Sequence, residues 1–578
     1  MLTVPLKIFR PYHRPAEAIA GLKRGGLKGL RVVLANMPLR ESAVPNCAPN
    51  GLCILGAWLR DFGAEVSVID LNVYRIKDAE AESRGLKNGR YLSHRETENL
   101  IEEHVATNGV PDLFALSGMI TTLKWQEAVA QMVRRICPDT FLVTGNGLAT
   151  EFKTGLFNWI PELDAVAHSE GDFAILKIGM DALAIKQLGF RRALLAGKLE
   201  PYHLGEIMGR HRFLYDGGRP DDLDQVPFPA YDLIERDVRG FPVLETYLLN
   251  QVWGIGANNS SATPFTMTRS INTVSSRGCP FACTFCFRGA TGERNYGVRS
   301  AENFANEIAF YHEKYGVDFV GVTDDNFMVK RGRIADIEKI LAPFIQKTAL
   351  RWGTHGRLDE AADLQPNGAG GKFNSPLRVD QMARAGCVYI GFGAESADKD
   401  TLEAMGKGGF ILANGVEKVN GFEFPRTMVE GIKNTKRSGI HANCTWIEAY
   451  PGETLQQLKT TVAFIEWQKD FYAECGDTPD SVNANLFIAT AYPGTELFKD
   501  ARVKEIMSTN FGIRFNSSGD PECDDNLHYY VSELDDATKV MHDQSGKPLN
   551  FSAMTEDQFL RTREYVECGK IEKILEME

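Results

Sequence analysis

Three cysteines, Cys279, Cys283 and Cys286, stand in a C-x3-C-x2-C spacing inside RGCPFACTFCFRG. Thiolates are soft ligands, and three of them on one short loop suit three irons of a cubane cluster, leaving the fourth iron open to a non-protein ligand. A structural zinc site wants four closed ligands, and no fourth Cys or His lies nearby in sequence, the next being His312 and Cys387. The chain holds 11 cysteines, an odd number in a long chain without an export signal, so thiol, metal or cluster chemistry fits better than a disulfide framework. The loop follows INTVSSRG (271–278), which reads as a strand. Barrel enzymes keep their reactive groups on loops at the carboxyl ends of such strands.

The elements around this loop read as two strand-helix series. RVVLANM, GLCILGAWLRDFG and EVSVIDL form a strand, helix, strand unit, and the theme repeats through LFALSG, TLKWQEAVAQMVRRIC, FLVTGNG and AVAHSEGD. This predicts a parallel, doubly wound, Rossmann-like domain over 30–195, preceded by an extension over 1–29. Pro, Gly, Asp and Asn clusters over 196–268 read as a linker. A second series, beginning at INTVSSRG and continuing through DFVGVTDD, LRWGTHG, CVYIGFGAES, ANCTWIEAY and SVNANLFIATAY, predicts a partial (β/α)6 barrel over 269–500. Two Gly- and Asn-rich insertions, 364–376 and 406–424, interrupt it. The segment 501–578 reads as a small, mostly helical tail capping the open barrel side, with HYY (His528 to Tyr530) within reach of the site or simply on a solvated helix.

Composition narrows the class. Over 578 residues, 43% hydrophobic and 24% charged are ordinary values for a globular chain and exclude an intrinsically disordered one. A net charge of -12 argues against a broad nucleic-acid footprint. No run approaches the roughly 18 apolar residues of a membrane span, and MLTVPLKIFRPYHRP has no signal-peptide core, so a cytoplasmic protein is expected.

The cysteine motif resembles that of the radical S-adenosylmethionine (radical SAM) superfamily. The resemblance implies a [4Fe-4S] cluster on the three cysteines, with Phe285 near S-adenosylmethionine (AdoMet), whose amino and carboxylate groups take the open iron. In place of the superfamily's Gly-Gly-Glu segment stands TDDNF, with Asp324 and Asp325, a form resembling the cobalamin-binding subgroup. Glu395, in GFGAES, suits hydrogen bonds from ribose hydroxyls, or else forms with Ser396 the cap of the following helix. Arg357 faces the AdoMet carboxylate or bridges to Asp359. Pro451 and Gly452 in YPGET, with Pro493 and Gly494 in YPGT, are turns able to offer backbone groups to adenine, or ordinary strand-to-helix turns.

The first domain looks like the cobalamin-binding domain of the same subgroup. It has no D-x-H-x-x-G, so the resemblance implies cobalamin held without a histidine lower ligand. Its expected contacts are strand-end loops: Pro49, Gly51 and Leu52; Ser117, Gly118, Met119, Thr121 and Thr122; Gly145, Asn146 and Gly147; and Glu170 of SEGD. TGNGLAT departs from the two glycines and histidine that subgroup members often show there, which leaves open a relic domain without cobalamin. His168 reads as a packed strand histidine. The implied activity is methylation of an unactivated carbon through a 5′-deoxyadenosyl radical, with oxidation or cyclisation, as in the anaerobic magnesium-protoporphyrin ester cyclase, as the alternative. A small-molecule, lipid or peptide substrate and an electron donor of flavodoxin or ferredoxin type are expected.

Overall fold

In a computed structural model the described residues are 18–19, 22–39, 47–74, 92–250, 267–287, 296–365, 372–478, 481–534 and 539–578. Most of the N-terminal extension, the GANNSSATPF end of the linker and the centre of the 364–376 insertion lie outside them.

The first domain is built on strands β1 (Arg31–Asn36), β2 (Glu65–Asp70), β3 (Leu113–Ser117), β4 (Phe141–Gly145) and β5 (Ala165–His168). Helices α1 (Asn50–Asp61), α2 (His94–Asn108), α3 (Leu123–Ile136), α4 (Gly147–Phe152) and α5 (Gly171–Leu188) follow them in alternation. These five strands are parallel, because each return to the sheet runs through a helix. VVLA in β1 is buried throughout, as a strand covered on both faces requires. The sheet does not stop near residue 195. β6 (His203–Ile207) and β7 (Arg210–Asp216) extend it as an antiparallel hairpin, giving the order β2-β1-β3-β4-β5-β7-β6. Met208 and Gly209 both hold a left-handed backbone, the geometry a two-residue hairpin turn needs. Here the expected linker is structured: HLGEI and RHRFLYD alternate about an inconspicuous Met-Gly pair.

The second sheet holds β8 (Ser270–Thr273), β9 (Phe319–Val322), β10 (Arg351–Gly356), β11 (Cys387–Glu395), β12 (His441–Glu448) and β13 (Asn485–Ile488), in that order. All neighbours are parallel, an open six-stranded half-barrel. Its outer helices include α6 (Ala301–Tyr315), α7 (Arg331–Ile345), α8 (Arg378–Arg384), α9 (Lys399–Ala404), α10 (Arg426–Arg437) and α11 (Leu455–Glu474). Within the 406–424 insertion the chain forms a short helix and the start of a hairpin, Val416–Val419 against Phe422–Pro425.

The tail departs from the expectation of a barrel cap with a histidine near the site. Helices α12 (Ala501–Phe511) and α13 (Asp525–Glu533) bury Val503, Met507, Phe511, Leu527 and Tyr530 in one core with Leu148, Phe152, Phe157 and Trp159 of the first domain. His528 is held by Glu127 at 2.6 Å and Tyr530 donates to the Ala491 carbonyl. Met554, α14 (Glu556–Glu567) and the residues after it pack on the barrel, placing Met554, Phe559, Ile571 and Ile574 in its core. The tail therefore staples one domain to the other.

Candidate functional site

The cysteine loop leaves the carboxyl end of β8 and is fixed on every side. Asp324, at the end of β9 and 2% exposed, accepts the Ser275 and Ser276 amides at 2.5 and 2.9 Å and the Ser275 hydroxyl at 2.6 Å. Farther along, Thr284 donates its amide to Met405 and accepts the Leu497 amide on its carbonyl. Its hydroxyl lies 2.6 Å from the Tyr450 hydroxyl. Thr284 sits between Cys283 and Phe285, so these bonds fix the cysteine spacing as three separate elements dictate.

Cys279 and Cys283 are half-buried and Cys286 is exposed, and all three are free thiols. Burial pushes the Cys279 thiol up; Cys286 keeps exposed surface, yet enclosing protein and the neighbouring Cys283 push it up to about 12. A bound cation would hold these groups as thiolates. Among the described residues no three His, Cys, Asp or Glu converge on one metal ion. Three thiolates each holding a different iron of a cubane need not converge, so the donor set fits a cluster better than a single zinc.

The residues expected around AdoMet divide into two groups. Arg357, buried after β10, is gripped by Asp359 at 2.9 Å, lies 4.0 Å over the Phe281 ring and points Nη1 at Cys283 Sγ, also at 4.0 Å. Thus it both bridges to Asp359 and faces the cysteine loop. Glu395 has a left-handed backbone, φ 67, unusual for a residue with a side chain, and its carboxylate lies 3.3 Å from the buried Lys407 ammonium. Asp325 stands at the site rim, where enclosing protein, Asp324 and Glu170 raise its carboxyl above the usual range. Phe285 packs half-buried against the core shared by the first domain and the tail. Pro451 follows the Tyr450 latch and leaves some surface.

The other expected contacts serve the fold. Asp324 anchors the loop as described. Ser396, fully buried, bonds Thr461 at 3.0 Å and accepts the Asp398 amide, while Asp398 itself caps α9, so Glu395 and Ser396 are not the cap pair. Gly452 gives its amide to Phe551. Gly494, beside the buried Pro493, lies against the first domain and the cysteine loop: a Cβ there would lie 2.1 Å from the Glu151 carboxylate and 2.8 Å from Phe287.

A cavity of about 420 Å³ opens at the carboxyl edge of the first sheet. Leu34, Ala115, Val143 and Ala167 of the sheet form its floor, and Leu52, Leu55, Ile175 and Ile178 of α1 and α5 its sides. Pro49, Gly51, Leu52, Ser117, Met119, Gly145 and Asn146 all line it, as does His168. Asn146 holds a left-handed backbone, with its side chain accepting the Gly147 amide and donating to Ser117. At Gly145 a Cβ would meet nothing closer than 3.8 Å, and at Gly51 nothing within 4 Å, so backbone lies open there to a large ligand. Small polar groups at an apolar slot suit a flat ligand with an amide periphery.

Gly118, Thr121, Thr122, Gly147 and Glu170 are not among the lining residues. Thr122 bonds the Met119 carbonyl and Gln126, and Gly118 has no room for a Cβ because Thr122 Oγ1 would be 2.2 Å away. Thr121 lies within the same short helical turn, and Gly147 faces Phe287 of the cysteine loop. Glu170 is engaged by Arg219 and by Arg277. Sequence reasoning passed over Arg277, Thr284 and Phe281, although all three flank the cysteines.

Residues 273–465 match the family described as the Radical SAM superfamily. The chain is 24% identical over 401 residues to an uncharacterised methyltransferase of Pyrococcus horikoshii, covering 69% of this chain and 71% of that one. It is 22% identical to the anaerobic magnesium-protoporphyrin IX monomethyl ester cyclase of Cereibacter sphaeroides, covering 71% of this chain but 56% of the cyclase. In structure it resembles the cobalamin-dependent S-adenosylmethionine radical enzyme OxsB, with a TM-score of 0.58 and 15% identity over 93% of this chain, which spans 66% of that one. Over residues 273–465, which hold the cysteine loop and most of the half-barrel, the chain thus matches the Radical SAM superfamily, and its overall fold is similar to that of a cobalamin-dependent radical enzyme.

Proposed function

We propose that the protein is a cobalamin-dependent radical SAM methyltransferase acting on an unactivated carbon. One observation carries this reading: the cavity at the Rossmann edge is walled on one side by Val274 and Arg277, the residues that lead into the cysteine loop. A corrin over the cavity and a cluster on Cys279, Cys283 and Cys286 would thus face one chamber between the domains. Bound there, these groups and AdoMet supply hydrogen abstraction and a transferable methyl group. The chain's own residues bind and orient. Arg357 offers a buried cation beside the loop, Glu395 and Asp325 offer carboxylates to amino and hydroxyl groups of AdoMet, and Phe281, Phe285 and Phe287 exclude water.

On this reading the protein works in the cytosol, with a flavodoxin- or ferredoxin-type donor; among the described residues no helix is long and apolar enough to cross a membrane. The cyclase relative favours a second reading, radical oxidation or cyclisation by the same site. Anaerobic purification with hydroxocobalamin, followed by a visible spectrum and a cobalt count, tests the cavity; absence of bound corrin rejects it. Product mass then separates the readings, because a gain of one methylene unit supports methylation and a loss of hydrogen supports oxidation.

A further inference from the structure

Arg277, two positions before Cys279, makes a charged contact that joins the domains beneath the site. Its guanidinium lies 2.6 Å from Glu170 and also binds Asp172, the latter only 2% exposed. Trp58 donates its indole N–H to the other Asp172 oxygen at 2.9 Å, and Arg219 takes the other Glu170 oxygen at 2.8 Å. Every oxygen of the two carboxylates is therefore engaged in one network running Trp58, Asp172, Arg277, Glu170, Arg219. Arg277 and Asp172 also line the cavity. On its other side Arg277 has little freedom, since the Ser276 amide is tied to Asp324 and Gly278, with φ 77, turns directly into Cys279. Buried ion pairs are stiff, because moving one charge away strands its partner without water. A ligand that shifts the cavity wall therefore shifts the root of the cysteine loop, and ordering of the loop by a cluster shifts the wall.

We propose that Arg277 is a positioning residue that couples the two cofactor sites, so that a cluster on the loop changes the affinity of the cavity for its corrin. The inference rests on the cavity reading above, and the same titration separates the two. Hydroxocobalamin is titrated into cluster-free protein and into anaerobically reconstituted protein, with binding followed by the corrin spectrum. Coupling of this kind gives affinities differing by about 5-fold or more between the two forms of the wild-type protein. Arg277→Gln, and independently the isosteric Asp172→Asn, bring that ratio close to one while folding and iron content are retained. Arg219→Gln, which touches the network only at its outer end, keeps most of it. Equal affinities in the two wild-type forms, or an undiminished ratio in folded Arg277→Gln and Asp172→Asn, overturn the coupling and leave the cavity reading intact. No binding to either form overturns both. If one variant fails to fold the other still decides, and the wild-type ratio needs neither.

Discussion

At the scale of single residues, two buried ionisable groups have measurable consequences. The Arg357 guanidinium beside Cys283 favours the more negative, reduced state of any cluster held there, since Asp359 orients it but leaves Nη1 directed at the sulfur. Arg357→Gln should make one-electron reduction about tenfold less favourable, near 59 mV in midpoint potential. A spectroelectrochemical titration of reconstituted protein checks this, and an unchanged midpoint rejects it. Glu453, 2% exposed, has neither oxygen hydrogen-bonded. Burial first, then Glu448, push its carboxyl up to about 8, and the nearby Ala449 and Tyr450 amides, too loosely placed to bond, offset this only in part. A carboxyl raised by folding keeps its proton in the native state after the unfolded chain has lost it. Its contribution is therefore full below the unfolded value of 4.5 and is lost as pH climbs through about 8. The loss is on the order of 4 kcal/mol for so buried a group. The fall in Tm between pH 6 and pH 9 should be clearly smaller in Glu453→Gln than in the wild type.

Among the elements, turns that look interchangeable in sequence do different work. YPGET and YPGT are nearly the same text, yet Tyr450 latches the cysteine loop whereas Gly494 admits the first domain. Gly494 has φ 88 and no space for a side chain, so Gly494→Ala strains the backbone and pushes against the Glu151 carboxylate. A destabilisation of about 1–3 kcal/mol is expected, and Glu151→Ala in the same chain should restore part of it. Thermal unfolding of the two single variants and the double variant measures this; full additivity would remove the close approach as the cause. The strands themselves were legible because buried parallel strands read as short apolar runs. The β6-β7 hairpin was not, because Arg212 is buried while Leu204 is exposed, which breaks the apolar-in, polar-out pattern, and its turn carries no Asn-Gly or Asp-Gly signal.

For the whole molecule, the tail joins the domains by sharing core with each. Removing residues 501–578 would expose Leu148, Phe152, Phe157 and Trp159 on one domain and the α11 face of the barrel on the other. That truncation should yield aggregated protein by size-exclusion chromatography, and a monodisperse folded product would contradict the shared core.

The sequence by itself determined the cysteine triad, the order of two strand-helix series and the strand-end positions of the candidate ligands, because spacing and periodicity are local properties of a chain. Tertiary structure alone decided which of those residues face open space. Asp324 and Asp325 are neighbours in sequence, yet the first is spent anchoring Ser275 and Ser276 while the second stays at the rim. Glu170 carries the charge expected of a contact residue, but Arg277, more than a hundred residues away, takes it up. A side chain's role depends on which partners satisfy it, and those partners are brought by packing across distances that no local pattern records.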